Sequence, residues 1–127
     1  MMDYRSPISR ARGLGSAKEG AAHWWMQRLT AAALVPLLLW FVASLIGLTG
    51  AGYDDAVAWV STPWITVLLI ATIAVVFHHA QLGLQVVLED YVHSEWLKVL
   101  SIALVKFAAV LLAIGGIYSV LRVAFGG

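Results

Sequence analysis

Three apolar stretches, each long enough to cross a bilayer, govern what this chain can fold into. They cover 29–48 ("LTAAALVPLLLWFVASLIGL"), 63–88 and 97–121; Lys98 marks the start of the third, and Lys106 is the only charge deeper within it. A helix needs about 20 predominantly apolar residues to span the hydrocarbon, where every backbone polar group must be satisfied internally. With 61% hydrophobic and 12% charged residues and a mean hydropathy of +0.87, the chain lies outside the range of soluble domains. The reading is an all-α integral membrane protein: a polar N-terminal segment, 1–28, followed by a membrane domain, 29–127, of three transmembrane helices.

Pro63, after Ser61 and Thr62, has the pattern of a capped helix start with proline in the first turn. Pro36 lies inside the first run and is expected to kink it. That run is too long, and its polar leader too extended, for a cleaved signal peptide, so it reads as a retained helix. The start "MMDYRSPISRARGLGSAKEG" has some transit-peptide character, against which Asp3 and Glu19 count. The net charge of +1 gives no reason to expect a nucleic-acid partner. Without cysteine, the chain offers no disulfide, iron–sulfur or thiolate zinc ligand.

Lysine and arginine placement sets the orientation. Arg5, Arg10, Arg12, Lys18 and Arg28 precede the first helix, whereas the first connection carries Asp54 and Asp55. Positive charge stays inside, so the N-terminus is expected in the cytoplasm and the C-terminus, with Arg122, across the membrane. Trp24 and Trp25 at one boundary and Trp59 and Trp64 at the other read as aromatic belts.

The unusual stretch is "FHHAQLGLQVVLEDYVH", Phe77 to His93, at the end of the second helix. Polar side chains inside a membrane are costly and by default functional. His79 lies ten positions before Glu89, or roughly 15 Å along a helix, near mid-membrane. At 100° per residue it shares a face with Leu68, Thr72, Val75, Val76, Gly83, Val86 and Asp90, and Gly83 leaves room for something flat. His78 points elsewhere. Three jobs stay open for His79: a proton relay, a hydrogen bond across helices, or an axial ligand of haem iron. Zinc is poorly served, because no carboxylate or histidine joins that face before Asp90. His23 and His93 belong near the boundary, so a bis-histidine haem needs a histidine from another chain, either a different protein or a second copy.

"HHAQLGLQVVLEDYVH" resembles the hydrophobic membrane anchor of four-subunit succinate dehydrogenase (respiratory complex II), and "RSPISRARGLGSAKEGAAHWWMQRLTAAALVPL" is similar to the corresponding segment of its alphaproteobacterial and mitochondrial-type branch. The resemblance covers almost the whole chain; its most specific part is the histidine set twelve positions before the tyrosine of an Asp-Tyr pair. It implies a multi-pass protein of the bacterial cytoplasmic membrane with its C-terminus in the periplasm. It implies further that the helices pack with a second membrane anchor, the cytochrome b subunit, into a bundle holding one haem b, with His79 as this chain's axial ligand to the iron. Tyr91 is then the ubiquinone hydrogen-bond donor, at a site shared with the cytochrome b and iron–sulfur subunits, and Asp90 its support. Arg28 and His23 are similar to residues near the haem propionates. A flavoprotein subunit oxidises succinate, and this chain performs no succinate chemistry itself.

Tyr91 suits that role, since a phenol donates to a quinone carbonyl with increasing strength as negative charge builds there. The competing readings are a small transporter or proton relay using His78, His79 and Glu89, and the anchor of a fumarate reductase. Lys106 reads as a snorkelling lysine. Gln81 and Gln85 are expected to bond between helices, and Ala109, Ala113 and Gly116 to form a small-residue packing stripe.

Overall fold

A computed structural model describes residues 14–126, with side chains from residue 20 on. Arg5, Arg10 and Arg12, and the side chain of Lys18, which carry much of the orientation reading, lie outside the described residues. Four helices follow in order: α1 (Leu14–Gly47), α2 (Tyr53–Ser61), α3 (Pro63–Tyr91) and α4 (Glu95–Ala124). Three are long and apolar enough to cross a membrane: Gly20–Gly47 within α1, α3 and α4.

α1 extends well ahead of the apolar run, because "AKEGAAHWWMQR" is made largely of good helix formers that carry the coil on past the lipid-facing part. It also continues through Pro36 without a break in helix assignment. Its far end closes in a turn in which Ala51 N–H donates to Leu48 O at 2.9 Å. Gly50 there adopts φ +84°, a left-handed value that a side chain would resist. The short α2 then leads into α3, which starts at Pro63 as the sequence indicates.

α3 is the central element, with α1 and α4 both packed on it and α2 lying against α3 and α4. The buried residues among those described explain how. Apart from Ile65, Leu69 and Leu82 they are Thr30, Thr66, Thr72 and Gln81. The threonines return their hydroxyls to their own chain, Thr72 Oγ1 to Leu68 O at 2.7 Å and Thr66 Oγ1 to Val60 O at 2.6 Å. They therefore let helices approach closely without leaving an unpaired donor. Gly116 serves the same end on α4: a Cβ there would stand 3.2 Å from Ile73 Cγ2 of α3. By contrast α4 buries no residue fully, and large apolar side chains stand exposed along every span, as expected of surfaces that meet lipid or other helices.

At the α2 end of the bundle, Trp40 stacks on Trp59 at 6.0 Å and meets Trp64 at 6.3 Å. The belt tryptophans of the second boundary thus also tie α1, α2 and α3 together, through a Trp40 partner the sequence reading did not supply.

Candidate functional site

His23, Gln27 and Thr30 recur at helical spacing along α1 and form a polar stripe in a helix otherwise rich in alanine, leucine and tryptophan. Opposite them on α3 lie His79 and Gly83. Thr30 Oγ1 stands 2.8 Å from His79 Nδ1, a contact joining residues 49 positions apart. Thr30 is only 7% exposed, while His79 is half-buried. His79 Nε2 makes no hydrogen bond among the described residues. The space beside Gly83 is taken by Gln27, whose Nε2 lies 3.8 Å from where a Cβ would be. On its α1 side, therefore, the room expected at Gly83 accommodates a neighbouring side chain.

Along the same stripe, His23 Nε2 and Gln27 Oε1 are buried and lack hydrogen-bond partners among the described residues. A buried polar atom without a partner costs about 1–3 kcal/mol, so two within one turn of helix mark a place built to meet something else. His23 lies seven residues from Thr30, about 10 Å along the helix. Arg28 is exposed, with its guanidinium 5.2 Å over the Trp24 ring, so it stands beside the stripe without joining it.

His78 occupies a different groove. Together with Gln81 and Lys106 it lines a cleft of about 380 Å³ between α3 and α4, closed on the α4 side by Ala109 and Ala113. The two histidines face different neighbours, as their 100° offset requires. Gln81 and Gln85 do not bridge helices. Gln81 Nε2 donates to Gln85 Oε1 at 3.0 Å and Gln85 Nε2 to Glu89 Oε1 at 2.9 Å, because side chains four apart on one helix reach each other directly. The ladder engages Glu89 with Gln85, while His79 turns its Nδ1 to Thr30 on another helix.

Asp90 and Tyr91 end α3. Both are exposed, Tyr91 at 77%, and neither side chain makes a hydrogen bond within the described residues. They lie at the same end of α3 as Glu89, about 18 Å along the helix from His79.

A family model described as the succinate dehydrogenase/fumarate reductase transmembrane subunit matches residues 2–113. The chain belongs to this family. Its relatives in the family include the succinate dehydrogenase hydrophobic membrane anchor subunit of Rickettsia bellii, 32% identical over 118 residues, which are 93% of this chain and 94% of that one. The corresponding subunit of Paracoccus denitrificans is 30% identical over 128 aligned positions that span 98% of this chain and 96% of the relative. The succinate dehydrogenase membrane anchor subunit of Reclinomonas americana is 29% identical over 96 residues, 73% and 80% of the two chains. No solved structure matches the chain. Membership of a transmembrane-subunit family, with three apolar helices long enough to span, makes this a multi-pass membrane protein that acts as a non-catalytic subunit of a larger complex. It also sets aside the free-standing transporter.

Proposed function

We propose that the chain anchors a succinate:ubiquinone oxidoreductase in the bacterial cytoplasmic membrane, holds haem b jointly with a cytochrome b subunit, and completes the ubiquinone site beside the iron–sulfur subunit. The observation that carries this reading is His79: a histidine deep within a span, fixed through one ring nitrogen and without a hydrogen-bond partner among the described residues at the other. Among the described residues no three His, Asp, Glu or Cys side chains gather. A lone histidine suits haem, whose porphyrin already supplies the equatorial ligands, better than a bare ion that needs a full protein shell.

The residues fit the group in a second respect. Haem carries carboxylates, and the orphaned His23 Nε2 can donate a hydrogen bond to one, with Arg28 a nearby cation of opposite charge. His79 would hold the iron from this chain, together with a histidine of the cytochrome b subunit. Bound there, haem supplies a one-electron redox centre. Tyr91 would donate its phenolic hydrogen to a ubiquinone carbonyl, and Asp90 would position a cation or water at the same headgroup. Their exposure suits a site completed by neighbouring subunits.

The segment ahead of the Gly20–Gly47 span is assigned to the cytoplasmic side, where the flavoprotein and iron–sulfur subunits dock, and the end of α4 to the periplasm. The succinate dehydrogenase anchors among its relatives favour succinate oxidation over a fumarate reductase as the working direction. Deleting the chain from its host is expected to move most dye-linked succinate dehydrogenase activity from the membrane to the soluble fraction, and re-expression to return it. Activity that stays membrane-bound without the chain would reject the anchoring role.

A further inference from the structure

We propose that Thr30 is a positioning residue for His79: its hydroxyl fixes the imidazole in the Nδ1–H tautomer and holds the ring so that an unprotonated Nε2 faces away from α1. The inference rests on the reading of His79 as haem ligand and adds to it the group that prepares the ligand.

The argument is a proton count. A threonine hydroxyl has one hydrogen to donate and can accept as well. Thr30 Oγ1 lies 2.7 Å from Met26 O and 3.2 Å from Gln27 O, and carbonyl oxygens can only accept. The proton therefore belongs on the Met26 side; were it turned toward His79, two oxygens would face each other at 2.7 Å with no hydrogen between them. Oγ1 is then the acceptor for His79 at 2.8 Å, and the hydrogen of that bond must come from Nδ1. A neutral imidazole carries one N–H, so Nε2 keeps its lone pair, the form in which histidine binds a metal.

Burial keeps this arrangement in place. Thr30 is almost wholly enclosed between α1 and α3, so water does not compete for its hydroxyl. Because the Thr30 hydroxyl is also tethered to the turn of α1 before it, ring orientation is referred to the α1 backbone and not to a free rotor. Hydrogen bonds of this kind orient ligating histidines and raise their basicity, and removing them typically costs about 10–100-fold in metal affinity. A more basic axial ligand favours ferric over ferrous iron, so Thr30 should hold the haem potential down.

The test uses the intact, purified complex carrying Thr30→Val, nearly the same shape but without the acceptor, and Thr30→Ser, which restores the hydroxyl. Redox titration and low-temperature electron paramagnetic resonance of the haem are the readouts. Thr30→Val is expected to shift the midpoint potential positive, to alter the ferric signal and to release haem faster, with Thr30→Ser close to wild type. Thr30→Ala serves in the same role should the valine variant fail to assemble. A wild-type potential and ferric signal in Thr30→Val, or equal perturbation by valine and serine, would overturn the proposal. Failure of the underlying reading looks different: His79→Ala would then leave the haem untouched, whatever Thr30 does.

Discussion

His79→Ala in the assembled complex is expected to remove the b-type haem, or to reduce haem content by about tenfold or more, while dye-linked succinate oxidation by the soluble subunits persists. The size of the effect follows from the ligand count. Loss of a hydrogen bond to a ligating histidine already costs about 10–100-fold in affinity, and here an axial bond itself disappears. The adjacent histidine is badly placed to substitute: His79 meets Thr30 of α1, whereas His78, one residue away, faces the α3–α4 cleft with Gln81 and Lys106. His78→Ala therefore serves as the control and should leave the spectrum unchanged. Haem content by pyridine haemochrome assay reads both variants, and wild-type content in His79→Ala would reject the assignment.

The second large effect is expected at the other end of α3. Tyr91→Phe should lower ubiquinone reduction by about 10²-fold, the usual scale for losing one donor to an oxygen that gains negative charge during reaction. Electron transfer from succinate to a soluble dye should be nearly unchanged. The phenylalanine preserves the apolar ring and deletes only the hydroxyl, and because Tyr91 is 77% exposed in this chain, little folding energy rides on it. Parallel loss of both activities would mean that Tyr91 supports assembly and not the quinone site.

The architecture was legible because membrane helices announce themselves by length and hydropathy, and Pro63 marks the start of α3 as its fixed φ and missing N–H require. The extent of α1 was not, since a search for apolar runs stops at Arg28 whereas helix propensity does not. The separation of His78 from His79 could be read from helical geometry alone. The partner of His79 could not: Thr30 is 49 positions away, and which face of α1 meets α3 is a matter of packing. One signal was available, the spacing of His23, Gln27 and Thr30 as the polar stripe of an apolar helix. Intramembrane amides need partners, and for Gln81 and Gln85 composition alone points to other helices. Their spacing of four already supplied one, and Glu89 extends the ladder by the same step.

These placements give the chain a division of labour along its length. The Trp40–Trp59–Trp64 cluster secures one end of the bundle. The Thr30–His79 contact lies deep in the spans, and Asp90 and Tyr91 project at the opposite end, where other subunits can reach them.

The most direct test of the central claim is a dithionite-reduced minus oxidised optical spectrum of the mildly solubilised, affinity-purified protein, with co-purifying chains identified by mass spectrometry. The account predicts a b-type haem signal together with a flavoprotein, an iron–sulfur protein and a second membrane anchor. A preparation that holds those three partners but shows no haem would contradict the role given to His79, and one without the partners would contradict the anchor function itself.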